Sequence, residues 1–380
     1  MTRLIHNALA FTAIAATLSA CDCNTCKQEP KVEGNIFETH ARFLTTPYGY
    51  VANKATAPIN IDGILDEPDW QSAPWTENFA DISGEGFPTP RFVTNAKILW
   101  DDEYLYVGGQ LEEPCIWADL MQRDTVVYYN HDFEIFMDPD GDAQNYFEIE
   151  VNARETRFDL FVQKPYRAKT RAFVTFSWDA PGLLFKAHLD GTLNNPNDTD
   201  RGWSVEFAIP RTAFAAEFDN YLKAGNYLRI GFSRVEWQTE VDEGGAIRRK
   251  KDADGNFLPE DNWTWPSTGM VAMHMPERWG YVYLSDKKDT KFEYPATRAT
   301  ERLLWAMFYE QERQMNENGA YLSRLESFNL PADELAKLPE GSKVSVETTT
   351  NKFEIFVTAT DGSSISIDEN GWICRREAKK

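Results

Sequence analysis

The stretch that most constrains the fold is residues 95–152, where apolar and polar residues alternate along four segments. The apolar positions are Ala96, Ile98 and Trp100; Leu105 and Val107; Phe133, Ile135 and Met137; and Phe147, Ile149 and Val151. A period of two is typical of strands that bury one face. Asp101-Asp102 and Asp138–Asp142 lie between segments, where Asp, Gly and Pro favour turns. The stretch therefore predicts sheet structure with tight connections.

Composition and charge limit the classes of partner that such a protein can bind. A chain of 380 residues that is 42% hydrophobic and 13% aromatic can bury a sizeable core, and its length suggests one large domain plus a smaller one. The formal net charge of −21 repels nucleic acid phosphates and anionic membrane surfaces. We therefore expect no nucleic acid partner, and a neutral or cationic ligand.

The N-terminus predicts a signal peptide over residues 1–20. Arg3 precedes an apolar run, Ala8 to Leu18, that is too short to cross a bilayer, and Leu18-Ser-Ala-Cys21 ends it. This ending resembles the lipobox of bacterial lipoproteins. The resemblance implies a lipid on Cys21 and a protein held at the periplasmic or outer-membrane face of the bacterial envelope by that anchor alone. An ordinary secretory signal is the alternative.

Residues 21–50 predict a flexible tether, because Lys, Gln, Glu, Pro and Gly are prominent and periodicity is weak. Cys23 and Cys26 form a C-x-x-C in this segment, where a tether role or no role is favoured over metal binding. With Cys115 and Cys374 they could form disulfides in an oxidising envelope, and the sequence does not choose the pairing.

Several motifs along the chain share one resemblance. In order they are INIDGILDEPDWQSAPW, ILWDDEYLYV, DFEIFMDPDGD with YFEIEVN, GWSVEFAIP and MPERWG. Together they resemble the family 9 carbohydrate-binding modules and their relatives in the DOMON-type β-sandwich superfamily, over roughly Pro58 to Ser285. The resemblance implies a mainly β chain with an antiparallel β-sandwich, jelly-roll or immunoglobulin-like, over residues 51–288. Residues 296–380, with an amphipathic helix before strand-like runs, predict a small α+β accessory domain.

Sugar recognition requires flat aromatic faces and polar groups for the hydroxyls. In the resembled modules a stacking tryptophan precedes the acidic strand, and Tyr129 is at the matching position. The partner tryptophan is replaced by Met273-His-Met275. The second face is then expected from Trp117, Trp178 or Trp265, although a core position is the leading alternative for each tryptophan.

The polar candidates for sugar hydroxyls are Arg123, Glu150 and Asn152. Glu150 and Asn152 are two residues apart, so they face the same side of their strand. Outward polar residues are common on sheets even without a ligand.

Asp138, Asp140 and Asp142 resemble a calcium loop, since alternating carboxylates around a glycine can surround a hard cation. The resembled modules bind structural calcium. The alternative is a turn that the Asp side chains stabilise.

Catalysis is not expected, because the sequence contains no H-E-x-x-H, G-x-S-x-G or P-loop motif. We expect a binding protein for oligo- or polysaccharide that supports glycan capture and carbohydrate catabolism alongside envelope glycan-processing proteins. One alternative is a b-type haem domain for electron transfer, with His274 and a distant methionine such as Met137 as ligands. The other is an envelope scaffold without a ligand.

Overall fold

The computed structural model describes residues 32–169, 172–213 and 221–378. Strand is the main regular structure of these residues, as the alternation predicts. The strands of the larger domain are β1 (Gly49–Lys54), β2 (Ala80–Asp81), β3 (Thr94–Trp100), β4 (Tyr104–Glu112), β5 (Asp132–Asp138), β6 (Tyr146–Asn152), β7 (Arg157–Val162), β8 (Val174–Thr175), β9 (Leu184–Asp190), β10 (Gly202–Pro210), β11 (Tyr227–Glu236), β12 (Thr239–Val241), β13 (Ile247–Arg249), β14 (Asp261–Trp265) and β15 (Gly280–Ser285).

The helices are short except for one. They are α1 (Ile36–Thr39), α2 (Pro68–Ser72), α3 (Arg298–Asn318) and α4 (Ala332–Leu335). The C-terminal strands are β16 (Lys343–Thr348), β17 (Phe353–Thr358), β18 (Ser364–Asp368) and β19 (Ile373–Arg376).

One large sheet forms the main domain. Its strand order is β8-β7-β6-β5-β11-β15-β1-β3-β4-β10-β9, with β14 beside β11 and β2 beside β14. Neighbouring strands on this path are antiparallel except at β1, which runs parallel to both β15 and β3. The sheet curls so that its two halves face each other across a common core. The predicted mainly β, sandwich-like fold is confirmed.

Aromatic residues join the two halves. The ring centroid of Phe133 on β5 lies 6.1 Å from that of Phe207 on β10 and 5.7 Å from that of Phe232 on β11. All three side chains are fully buried, and each such side chain contributes roughly 1.5–3 kcal/mol relative to exposure. The alternation in the sequence therefore marks the face of each strand that closes the sandwich.

The C-terminal domain packs α3 against the antiparallel sheet β16-β17-β18-β19. The helix ends at Gly319, whose φ of 68° is the left-handed conformation that glycine adopts without steric cost. Leu304 and Phe308 on the helix share a core with Ile355 and Ile367 on the sheet.

The flexible tether predicted for residues 21–50 is wrong for residues 32–50, which are folded. Ile36 and Phe37 are buried in the core of the C-terminal domain, and His40 Nε2 lies 2.9 Å from Glu310 Oε2 on α3. The apolar residues are too sparse here for a local period, and the core that buries them is formed mainly by residues 303–373 of the C-terminal domain. Residues 21–31 lie outside the described residues, as do the signal peptide and Cys21, Cys23 and Cys26.

Within the described ranges, no helix is long and apolar enough to cross a bilayer. Cys115 and Cys374 are both free thiols, so they are not bonded to each other.

Candidate functional site

The hairpin β5–β6 has two different faces. Its odd-numbered residues enter the sandwich core, while its other face carries, besides Asp138 at the turn, four acids: Asp132, Glu134, Glu148 and Glu150. Glu134 lies directly across the strand pair from Glu150. All four side chains are buried, which is unusual for acids on the outer face of a sheet. We call these four acids the carboxylate floor.

Loop residues cover the carboxylate floor from two sides. On one side, the backbone N–H of Tyr128 donates to Glu150 Oε2 at 3.1 Å. On the other, the ring of His274 lies 3.7 Å from Glu148 Oε2 through Nε2 and 2.8 Å from the Tyr146 hydroxyl through Nδ1. The burial of the acids is thus produced by segments distant in sequence.

Aromatic residues form the rim of the floor. Tyr129 follows Tyr128, with ring centroids 4.8 Å apart, and is 43% exposed. Tyr166 lies with its ring centroid 4.0 Å from that of His274 and is 53% exposed. The Arg249 guanidinium lies over the Tyr129 ring at 4.9 Å, so it holds that side of the rim in place. Two exposed tyrosine faces therefore flank a row of carboxyl groups.

Burial changes the protonation of the floor. It raises the pKa of Glu134 to about 7, and burial together with the charge of Glu134 raises the pKa of Glu148 to about 8. The pKa values of Asp132 and Glu150 are raised well above their usual range by burial and the neighbouring acids. Near neutral pH the floor is therefore partly protonated, and a protonated carboxyl both donates and accepts hydrogen bonds.

His274 is neutral at the same pH, because burial lowers its pKa to about 4. The nearby carboxyl of Glu148 does not oppose this shift, since that carboxyl is itself largely protonated near pH 7. The site thus presents neutral hydrogen-bonding groups, which suit an uncharged hydroxylated ligand.

A buried ion-pair network lies beside the floor. Arg234 donates from Nη2 to Glu113 Oε2 at 2.8 Å and to Glu236 Oε2 at 2.9 Å. His131 Nδ1 lies 3.0 Å from Glu113 Oε2, and although burial opposes its ionisation, Glu236 and Glu113 hold the pKa of His131 above its usual value. Burial raises the pKa of Glu236 to about 7, whereas for Glu113 burial is outweighed by the charges of His131 and Arg234, which lower its pKa to about 2. Arg234 bonds to both acids, so this network is a structural support of the site.

The structure brings together two of the seven predicted sugar-binding residues. Tyr129 is on the rim and Glu150 is in the floor. Asn152 is fully buried and fixes a turn by accepting from the backbone N–H groups of Arg154 and Thr156, both at 3.0 Å. Arg123 forms ion pairs with Asp159 and Asp179 away from the rim.

The prediction that a tryptophan supplies the second stacking face is wrong for two of the three candidates, Trp117 and Trp265. Trp265 has no exposed surface and belongs to the sandwich core, and Trp117 is 3% exposed and packs edge-on against His131. Trp178 is half-buried, with its ring centroid 4.9 Å from that of core residue Phe147. A side chain without exposed surface cannot stack on a sugar, so the core alternative holds for Trp117 and Trp265.

Tyr166, Tyr128, Glu134 and Glu148 are site residues that the sequence did not indicate. Glu134 and Glu148 had a signal, because they alternate with core residues on the same strands as Glu150. Tyr166 had none, since residues 163–173 show no period that would place it over β6.

The segment predicted as a calcium loop forms a tight turn, and this turn also contacts the C-terminal domain. Asp138 accepts backbone N–H bonds from Gly141 at 2.9 Å and Ala143 at 2.8 Å, one with each oxygen. Arg375 of the C-terminal domain donates to the Gly141 carbonyl at 3.2 Å. Trp372 donates to Asp142 Oδ2 at 2.8 Å. The turn therefore anchors the C-terminal domain, while one oxygen from each of its three acids lies within 4.8 Å of the others.

The two suggested haem ligands lie on opposite faces of β5. Met137 is in the sandwich core. His274 contacts Phe136, which faces the other way, with ring centroids 5.6 Å apart. The two side chains do not meet in a common space.

The family comparison decides the class of the main domain. The family model described as "Carbohydrate family 9 binding domain-like" matches residues 61–287, well over half of the chain. The chain belongs to this family. The resemblance to family 9 carbohydrate-binding modules is thereby confirmed, and the carboxylate floor with its tyrosine rim lies within the matched range of this family 9-like domain.

Three solved structures are similar to the family 9-like domain. A family 9 module from Caldicellulosiruptor kristjanssonii in complex with cellotriose is 17% identical, with 65% of this chain and 99% of that chain covered and a TM-score of 0.36. The same organism's module with glucose is 16% identical, with 64% and 100% covered and a TM-score of 0.38. A candidate carbohydrate-binding protein from Bacteroides uniformis is 14% identical, with 63% and 100% covered and a TM-score of 0.46. No curated protein matches the chain.

Proposed function

We propose that this chain binds carbohydrate, without catalysing its cleavage, at the carboxylate floor between Tyr129 and Tyr166. The observation that carries the proposal is the pair of exposed tyrosine faces beside buried, partly protonated carboxyls. Aromatic faces cover the C–H face of a sugar ring, and the carboxyls exchange hydrogen bonds with its hydroxyls. Membership of the family supports the same conclusion.

Tyr166 takes the role of the tryptophan that the sequence lacks. His274, in the Met273–Met275 segment that replaces that tryptophan, packs against the Tyr166 ring. Burial and the charges of Glu148 and Glu150 raise the pKa of Tyr166 to about 12, so its hydroxyl is neutral and also available to a ligand. The clamp is thus rebuilt from a different segment of the chain.

Calorimetric titration of the purified protein with a panel of plant and microbial oligosaccharides tests the proposal. Y129A and Y166A should each weaken binding by about 1–3 kcal/mol, which is about 5- to 150-fold in Kd. Y48A is the matched control, because Tyr48 is 42% exposed elsewhere on the domain and should not change the affinity. If no oligosaccharide binds the wild-type protein, a scaffold role without a ligand is favoured instead.

We further propose that the protein is anchored in the bacterial envelope through Cys21 and supports polysaccharide capture there, on the basis of the lipobox-like sequence. Metabolic labelling with an alkyne fatty acid should modify the wild-type protein, and C21S should be released into the soluble fraction. Labelling of C21S to the same extent would exclude this anchor.

We also propose that Asp138, Asp140 and Asp142 hold a structural calcium ion, because their oxygen ligands suit a hard cation. The ion would neutralise a turn in which burial and the neighbouring acids raise the pKa of Asp142 to about 7. A chelator should then lower the melting temperature of the wild-type protein more than that of D140N. An equal effect on both proteins would exclude a calcium ion in this turn.

A further inference from the structure

We propose that a groove between the two domains binds an aromatic group attached to the carbohydrate, as in an aryl glycoside. This interdomain groove lies between α3 and the Met270–Met275 segment of the family 9-like domain, and its volume is about 740 Å³. Pockets for small ligands have volumes of roughly 300–1,000 Å³ and are frequent between domains. The attachment to a sugar rests on the proposed function, whereas the affinity of the groove for an aromatic ring does not.

The lining of the interdomain groove is mainly apolar and aromatic. Helix α3 contributes Phe308 and Tyr309, and residues 32–50 contribute Phe43, whose ring centroid lies 5.0 Å from that of Tyr309. Met270 and Met275 come from the family 9-like domain. Methionine side chains adapt to irregular shapes and make favourable sulfur contacts with aromatic rings. A lining of methionine and aromatic side chains therefore suits an aromatic ligand.

Two apolar side chains of the groove are exposed on a segment that hydrogen bonds hold in place. Val271 is 71% exposed and Met270 is 42% exposed. Thr268 Oγ1 donates to the Met270 carbonyl at 2.7 Å, and Trp279 Nε1 donates to the Met273 carbonyl at 2.9 Å. Exposed apolar surface of this kind marks ligand grooves. Because the backbone is already fixed, a ligand does not have to order the segment when it binds.

The charged side chains of the groove are already paired. Arg167 forms a bidentate pair with Glu277, with nitrogen–oxygen distances of 2.8 and 2.9 Å. Further charged residues of the lining are paired as well, namely Glu312 with Lys169 and Arg313 with both Glu310 and Glu317. A sugar ring needs polar partners for its hydroxyls. Since these groups are engaged with one another, the groove favours an apolar ring over a further sugar unit.

Tyr166 and His274 connect the groove to the carboxylate floor. Both residues line the groove, and His274 Nε2 also lies 3.7 Å from Glu148 Oε2 in the floor. A sugar held against Tyr166 therefore has the groove beside it, and a substituent on that sugar can enter the groove without a long linker. This continuity identifies the occupant as a group joined to the sugar.

Phenol, an aromatic ring without a sugar, tests the groove by itself in methyl-labelled methionine NMR. Phenol should shift the methyl signals of Met270 and Met275, while Met137 in the sandwich core should not move. V271D should weaken phenol binding by about fivefold or more, because a carboxylate replaces an apolar contact. V93D is the matched control, since Val93 is 47% exposed and does not line the groove. Unmoved signals of Met270 and Met275, or equal phenol affinity of V271D and the wild-type protein, would overturn the inference.

Paired glycosides test the attachment to a sugar. In calorimetric titrations with the phenyl and methyl β-glycosides of glucose, galactose and xylose, at least one phenyl glycoside should bind about tenfold more tightly than its methyl partner. V271D should bring this ratio close to one. Y129A should weaken both glycosides equally and leave the ratio unchanged.

The glycoside titrations separate the two proposals. Equal affinities of phenyl and methyl glycosides for the wild-type protein would contradict the attachment and leave the proposed function standing. If phenol binds and no glycoside does, the proposed function and the attachment both fail, while the affinity of the groove for an aromatic ring is upheld.

Analytical ultracentrifugation tests whether a second copy of the chain covers the groove instead. The wild-type protein and V271D should sediment alike, and V271D should keep the wild-type melting temperature because Val271 is exposed. A wild-type dimer that V271D converts into a monomer would assign the groove to self-association, against the inference.

Discussion

Replacing Arg234 with methionine should remove the main support of the buried network beside the carboxylate floor. The guanidinium donates five hydrogen bonds of 2.8–3.2 Å, three to the carboxylates of Glu113 and Glu236 and two to Thr94 Oγ1 and the Glu112 carbonyl. Hydrogen bonds to charged groups contribute roughly 1.5–3 kcal/mol each. Breaking a buried ion pair by deleting one partner typically costs about 3–5 kcal/mol, because the other charge stays buried. We expect R234M to lose stability in that range.

Urea denaturation at pH 7, followed by near-ultraviolet circular dichroism, measures this loss. Arg248 provides the control, because its ion pairs with Asp119 and Asp242, both at 3.3 Å, are solvent-exposed. R248M should cost less than about 1 kcal/mol. Adding E113Q and E236Q to R234M should recover part of the loss by removing the unpaired charges. A loss below about 1 kcal/mol in R234M would refute the view that this network is tightly coupled.

Three further changes test other parts of the structure. A Cβ at Gly231 would lie 2.6 Å from Trp279 Cδ1, so G231A should lose about 1–3 kcal/mol in the same urea assay, and an unchanged midpoint would contradict the packing. Burial alone would raise the pKa of Glu310, but hydrogen bonds led by that from His40 lower it to about 2. Its stabilising contribution is therefore present above about pH 4.5 and lost as the pH falls toward 2, so E310Q should show a shallower acid decline of unfolding free energy, and an equal decline would count against the bond. R375A should expose the C-terminal domain to limited proteolysis, and wild-type resistance would show that other contacts suffice to dock it.

The sandwich was predictable because its signal is local. Each of β3, β4, β5 and β6 alternates core residues with polar ones, and the apolar face of each strand is the face that the fold buries. Sequence also placed Tyr129 and Glu150, the first by family resemblance and the second by strand parity.

The rest of the site was not predictable, because tertiary contacts decide it. Glu134 and Glu148 have the pattern of solvated residues on an outer sheet face, yet both are buried. His274, which packs against Tyr166, covers Glu148 from a distant segment. For Trp265 the sequence predicted exposure where the structure shows burial, since an aromatic residue in a polar segment suggested a surface for stacking. Whether such a residue is buried depends on the sheet neighbours it acquires, which the local pattern does not contain.

The β5–β6 hairpin links two parts of the molecule mechanically. Its open end carries Asp132 and Asn152, while the turn at its closed end contacts Trp372 and Arg375 of the C-terminal domain. The seven residues of β5 span about 20 Å at roughly 3.3 Å per residue. Occupancy of the floor and docking of the C-terminal domain therefore act on one continuous hydrogen-bonded ladder. By reciprocity, whatever free energy a ligand at the floor contributes to docking, docking returns to the binding of that ligand.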